Sequence, residues 1–565
     1  MDLTAPYYPK INSIQDMLIT VAKHHNNKNA LIDLTDYEIN SVSYENLLDK
    51  VLRLGSALRN LDIKPRTHIA VIGENRVQWG IGYLTCMTFD HVVVPIDKGL
   101  SKDEILNILH ESEAEAIIFS KSYANMIYEI GESLKKLKTY ISMDQTSEPG
   151  THSMVALIQK YPPADISSLP KIDPNRVAEI IFTSGSLGRA KGVMLSQFNL
   201  ASNLMAMTSK LTIYPSDKFL SVLPLHHTYE GTCGFLCPLF CGATVYYARS
   251  LKTVVEDLHT SKASILLAVP LLYEKMFKKI IKGIESDKLK SKVVPVLLKV
   301  TDVVKSFAGK DLKHKVFGEL HEKFGGNIRL FIAGGAAIDP NIAKGLRGFG
   351  FNFVQGYGLT ETSPILALNS LDDFKDSAAG KPLPGVSIKI DNPDQDQSGE
   401  IIAKGDNVML GYYRRDDLTA EAIVDGWFRT GDLGFFDADG FLHINGRKKN
   451  VIIARNGKNV YPEEIEDVLH YSKFIAEAMV YADKSTGDEV ISVQILPDTE
   501  AFVELSETEG ITLTKEYIDK KIREEVNRLN AKLPIYKQIK KVVIREKEFQ
   551  KTTTQKIKRF LVEEV

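Results

Sequence analysis

Short apolar runs alternate with amphipathic stretches along the first two-thirds of the chain. Residues 68–72, 91–95, 116–119, 178–182, 328–333 and 352–355 are apolar runs of strand length. Between them, stretches such as 44–61 and 102–111 carry apolar residues at every third or fourth position, the spacing of a helix with one buried face. Strands alternating with helices predict an α/β fold with mostly parallel sheets. After about residue 380 the texture changes to short strands and turns, marked by Gly-Lys-Pro at 380–382, Asp-Gly at 425–426 and Asp-Ala-Asp-Gly at 437–440. From Arg447 onward a smaller α+β unit is expected. Its clearest helix is 514–533, with Ile518, Ile522, Val526, Leu529 and Leu533 on one stripe and Thr514 as N-cap. The predicted architecture is a large N-terminal body of several subdomains, residues 1–447, and a small C-terminal α+β domain, residues 448–565.

Composition narrows the function classes. The 565 residues are nearly four times the ~150 of one ordinary domain, so more than one unit is expected. With 44% hydrophobic and 25% charged residues the chain has material for large cores. Lys plus Arg is 70 against 72 Asp plus Glu, a net charge of −2, which argues against a nucleic-acid binder and against a disordered chain. Four cysteines are too few for a disulfide scaffold and fit a reduced, cytoplasmic setting.

The N-terminus has no basic start followed by an apolar stretch and cleavage site. The longest charge-free run, 231–248, is broken by Gly234, Pro238 and Gly242, and reads as a buried helix leading into a strand at 243–247 rather than as a membrane span. Cys233, Cys237 and Cys241 lie four apart within it; a metal would need a fourth ligand, so they read as small buried apolar residues. Two regions are locally basic: 275–315 holds twelve Lys against four acids, and 532–560 ten Lys or Arg against two. A solvated face is the simpler reading of each. The sharper reading is phosphate contact for the C-terminal stretch, and peripheral contact with an anionic membrane, at its inner face, for the first.

Chemistry concentrates at residues 178–193, AEIIFTSGSLGRAKGV. An apolar strand runs into Thr183, Ser184, Gly185, Ser186, Leu187 and Gly188, with Lys191 close behind. Glycines let backbone amides approach an anion, hydroxyls add donors and a lysine adds charge, so the segment has the composition of a phosphate cradle. A flexible surface turn is the bland alternative. The P-loop pattern fails, because Ala190-Lys191-Gly192 stands where Gly-Lys-Ser/Thr is required and the Mg²⁺-binding hydroxyl is missing.

The segment resembles the signature of the adenylate-forming enzymes, which include acyl-CoA synthetases, luciferases and adenylation domains of peptide synthetases. It departs at Leu187, where the family has Thr, and at Ala190, where it has Pro. Five further blocks follow in family order. In QGYGLTET, 355–362, the resemblance implies that Tyr357 stacks on adenine, Thr360 contacts the α-phosphate and Glu361 binds Mg²⁺. Gly334, Gly335 and Ala336 resemble the small-residue turn beside the adenine edge. In GWFRTGDLG, Asp432 stands where relatives hold the ribose hydroxyls, and in INGRKKN Arg447 is a second ribose contact and Lys449 the hinge. In EFQKTTTQKIKRF, 548–560, Lys556 is implied as the catalytic lysine, although Gln550 and Gln555 replace the family's Pro and Gly. Taken alone, Glu361 is a surface carboxylate and Lys556 a lysine on a basic tail.

The resemblance implies two half-reactions. A carboxylate attacks the α-phosphorus of ATP, pyrophosphate leaves, and a thiol then takes the acyl group and releases AMP. The C-terminal domain rotates between the steps in relatives, and Gly457 matches the loop that then meets the thiol. LPLHHTYEG, 223–231, resembles the acyl-site motif, with His227 beside the acyl group or, equally, a satisfied structural histidine. Glu230 and VPLLYEKM, 269–276, are more similar to fatty-acid members than to other branches, so the implied acid is a medium- to long-chain fatty acid. CoA is the implied acceptor. Acyl carrier protein acting in trans is the alternative, and a non-catalytic nucleotide- or lipid-binding relative a third reading. The oligomeric state stays open.

Overall fold

The segment Val77–Thr88 is a mostly apolar, uncharged helix that is buried along its whole length, so it belongs inside the protein. Two sheets enclose it. A methyl group on Gly80 would stand 3.1 Å from Leu31 and from Phe235, and one on Gly82 would stand 3.2 Å from Ile118. Leu31 lies in the strand Asn29–Asp33 of one sheet and Ile118 in Ala116–Phe119 of the other. The two glycines set how closely the sheets approach their shared helix.

The computed structural model describes residues 6–183, 190–308, 312–453, 459–483, 490–552 and 557–559. The chain divides into one unit of Met1–Ile388 with Ala403–Phe428 and another of Lys389–Ile402 with Arg429–Val565.

In the larger unit, a nine-stranded sheet runs in the order Lys381–Pro382, Ile365–Leu368, Asn352–Gly358, Leu330–Ala333, Ile265–Ala268, Lys218–Ser221, Thr244–Tyr247, Asn29–Asp33, Ser41–Ser43. Its six central strands, Asn352–Gly358 through Asn29–Asp33, are parallel. An eight-stranded sheet contains the parallel strands His68–Ile72, Val92–Pro95 and Ala116–Phe119. The expected α/β class with mostly parallel sheets is what the structure has. Helices begin where local chemistry dictates: Ser101 and Glu104 form a capping box that starts Lys102–Glu111, and Ser43 caps Tyr44–Asn60.

Residues 231–248 were expected to form a helix and then a strand. They contain the end of a π-helix, Tyr229–Leu236, the α-turn Cys237–Phe240 and the strand Thr244–Tyr247. The four cysteines are free and buried. Among the described residues no helix is long and apolar enough to cross a membrane.

The smaller unit has its own core. Strands Ile475–Asp483, Val490–Pro497 and Lys541–Ile544 form one sheet, packed by Ile465 and Leu469 of the helix Pro462–Leu469 and by Ile522, Val526 and Leu529 of Lys515–Asn530. Thr514 caps that last helix, its hydroxyl accepting from Tyr517 N at 3.2 Å.

Candidate active site

Four sequence blocks meet at the carboxyl ends of neighbouring parallel strands in the nine-stranded sheet. LPLHHTYEG follows Lys218–Ser221, VPLLYEKM follows Ile265–Ala268, IAGGAAI leaves Leu330–Ala333, and QGYGLTET ends Asn352–Gly358. The register sets them side by side, with Ala268 opposite Ala333 and Ala333 opposite Gln355. Open α/β sheets bind ligands in the crevice beyond such strand ends.

Side chains join these blocks. Buried Thr228 donates to Thr360, Oγ1 to Oγ1, at 3.2 Å. Tyr357 is half-buried at the end of its strand, one residue from Gly356, and Gly335, with φ +82°, turns the chain beside exposed Ala336. A side chain on Gly334 would collide with the Tyr229 ring, its Cβ 2.6 Å from Cζ. His227 is half-buried, and its Nδ1 accepts from Tyr229 N at 3.2 Å, which puts the neutral ring's proton on Nε2.

Residues 177–196 form a hairpin, Val177–Thr183 with Lys191–Ser196, in which Thr183 and Lys191 are cross-strand partners. Lys191 thus opens a strand, whereas the P-loop lysine opens a helix, a second ground for rejecting that pattern. Lys191 Nζ lies 5.1 Å from the centroid of the Tyr412 ring, and the Tyr412 hydroxyl donates to Glu361 Oε1 at 2.9 Å. One tyrosine therefore links the lysine of one motif to the carboxylate of another. The Glu361 carbonyl accepts from Met409 N at 2.9 Å, which fixes the backbone as well.

In the smaller unit, Asp432 and Arg447 are opposite one another in the hairpin Trp427–Phe436 with Leu442–Arg447. Arg447 Nε lies 2.8 Å from buried Asp432 Oδ1. Lys449 is exposed on the single turn Lys448–Asn450 that follows. Ser184, Gly185, Ser186, Gly188, Gly457 and Lys556 lie outside the described residues.

The profile of the AMP-binding enzyme family matches residues 18–413, and that of the AMP-binding enzyme C-terminal domain matches 449–565. The chain belongs to the AMP-binding enzyme family. A long-chain-fatty-acid–CoA ligase of Mycobacterium bovis is 30% identical over 466 residues, 79% of this chain and 75% of that one. Long chain acyl-CoA synthetase 7, peroxisomal, of Arabidopsis thaliana is 26% identical over 536 residues, 90% of this chain and 76% of its own. Among solved structures, an anthranilate CoA ligase in complex with anthranoyl-AMP superposes with a TM-score of 0.78 at 18% identity, covering 98% of this chain and 96% of that one. ATP-bound MatB from Rhodopseudomonas palustris does so at 0.76 and 22%, covering 96% and 97%. The adenylate-forming resemblance read from the motifs is thereby shown, and this AMP-binding enzyme is an AMP-forming ligase.

Sequence reasoning missed three residues of the candidate site of this family member. Asn75 Nδ2 donates to Ser221 Oγ at 3.2 Å and to Leu223 O at 2.6 Å, while its Oδ1 accepts from Leu225 N at 3.1 Å. It thus ties down the turn that presents His227. Thr228 stood inside a quoted motif without a role, and Tyr412 in no motif. Glu230, two residues past Thr228, is 1% exposed, with the Ser221 hydroxyl beside its carboxyl group. Burial pushes its pKa up to about 8, so it is largely neutral at pH 7.

Beside these blocks lies a small apolar cavity of about 40 Å³. Tyr229, Ala333 and Gly356 of the blocks line it, together with Met207, Phe219, Cys233 and Leu368.

Proposed function

We propose that this protein activates a medium- to long-chain fatty acid with ATP, forming acyl-AMP and pyrophosphate, and transfers the acyl group to the thiol of CoA. The observation that carries the reading is the cavity. Its lining residues are hydrophobic side chains and a glycine, with Gly356 the chain neighbour of Tyr357, and a methylene buried against such a surface is worth about 0.8 kcal/mol. The names of the two relatives agree with it.

A carboxylate and ATP are both anions, so catalysis depends mainly on positioned positive charge. Lys191 is assigned to the leaving phosphates and Lys556 to the carboxylate and α-phosphate, with Thr360 as a donor to the latter. Glu361 fits a Mg²⁺ site: its carboxylate is a hard oxygen donor, oriented by Tyr412 and adjacent to Thr360. When bound, Mg²⁺ would neutralise charge on the phosphates. Tyr357 is assigned to the adenine, and Asp432 with Arg447 to the ribose. His227, with its proton on Nε2, is a donor beside the acyl site. For the thiol step, residues 448–565 are assigned as the mobile domain, Lys449 as its hinge and Gly457 as a contact for the thiol substrate.

The test is ATP–pyrophosphate exchange over a panel of short to long fatty acids and amino acids, followed by CoA or holo-carrier protein as acceptor. Exchange rising with chain length and thioester formation on CoA is expected. Absence of exchange with every acid overturns the proposal, and thioester formation only on the carrier replaces CoA.

A further inference from the structure

We infer that the solvent-facing side of the helix Lys290–Ala308 docks this protein on an anionic lipid surface. The helix has apolar residues on two sides. Val294, Leu297 and Leu298 pack on the hydrophobic core of the larger unit, with Thr301 buried beside them. Opposite them, Val293, Val296, Val300 and Val303 are 40%, 59%, 50% and 54% exposed, and Leu289, just before the helix, is 71% exposed. At about 100° per residue these five fall within a stripe roughly 80° wide. Scattered exposed valines would need no explanation, but five in one row form a patch.

Charge selects the occupant. Exposed Lys288, Lys292 and Lys299 border one edge of the stripe and Lys290 the other. Lys288, Lys292 and Lys299 make no ion pair among the described residues, whereas Asp302, the acid within the helix, is held by Lys313 at 2.7 Å. A second copy of the same face would bring these lysines against their equivalents, with like charges opposed. An anionic headgroup layer neutralises them while the valines enter the headgroup–acyl boundary. Apolar row and basic border together fit a helix lying in the plane of a membrane surface. The inference holds whichever acid and thiol the enzyme uses.

The test is co-sedimentation of the full chain with vesicles of phosphatidylcholine alone and of phosphatidylcholine mixed with phosphatidylglycerol. Binding to the mixed vesicles alone, weakening as salt rises, is expected. K288Q/K292Q/K299Q should weaken it about a hundredfold, since each lysine near such a surface contributes about 1 kcal/mol. V296D/V300D should abolish it. Thermal melting of each variant checks folding, and Val300→Trp adds a readout free of that concern, its emission shifting to the blue on the mixed vesicles. Failure of the protein to bind, or binding unchanged in these variants, overturns the inference. So does self-association abolished by V296D/V300D, which assigns the stripe to a second copy.

Discussion

Tyr412 does two jobs with one side chain, its ring below Lys191 and its hydroxyl on Glu361. A hydrogen bond to a charged group contributes about 1.5–3 kcal/mol. Tyr412→Phe keeps the ring and loses that bond, so pyrophosphate exchange should fall by at least about tenfold, with more Mg²⁺ needed for half-maximal rate. Glu230 behaves differently. Its pKa is about 8 in the folded protein against 4.5 ordinarily, so the unfolded chain releases its proton first. The residue therefore costs nothing below about pH 4.5, and stability falls as pH rises from there through about 8. Glu230→Gln should raise the melting temperature above wild type by an amount that grows from pH 5 to pH 8 and then levels off. An equal difference at both pH values would show that another group carries the titration. Residue by residue, what could be read from the sequence was what carries its own spacing: Lys191, Tyr357, Thr360, Glu361, Asp432 and Arg447 each sit inside a recognisable block. Tyr412 does not, because it is brought to Lys191 by strand pairing, Tyr412 beside Val193, which the sequence spacing does not show. Asn75 escaped for the same reason, its bonds reaching residues some 146 to 150 positions away.

Among the elements, periodicity found those with one buried face and missed those with none or with altered winding. The helix predicted at 102–111 has those bounds in the structure, whereas the wholly buried Val77–Thr88 offers no polar face against which to count a stripe. The π-helix Tyr229–Leu236 was hidden because its residues suit an α-helix equally well. Under the proposed function it bears on substrate choice, since it carries Tyr229 and Cys233 into the cavity wall. Cys233→Phe should fill that space and shift the preferred acid to a shorter chain, by about fourfold in specificity for each methylene excluded. A panel of acids in the exchange assay measures it. The turn before the π-helix depends on Asn75. Asn75→Ala leaves a buried turn with unpaired polar groups, at a cost of about 1–3 kcal/mol for each group left unsatisfied. The melting temperature should drop and KM for the acid rise more than KM for ATP, because the turn holds the acyl-site block.

For the whole molecule, the proposed two-step reaction places the change of state at Lys449. Proline there fixes φ and removes a donor. Lys449→Pro should therefore keep pyrophosphate exchange within a few-fold of wild type while thioester release is lost; equal loss of both would remove the hinge from that residue. The larger unit has another property, and it follows from the helix held between the sheets. Because Leu31 and Phe235 press on Gly80 while Ile118 presses on Gly82, neither sheet can peel away without leaving the other a naked apolar wall. A body of this length would ordinarily be expected to melt in stages. Here calorimetry should find one endotherm for it, with the van 't Hoff and calorimetric enthalpies equal. A chain cut between the sheets should yield no fragment that stays in solution alone.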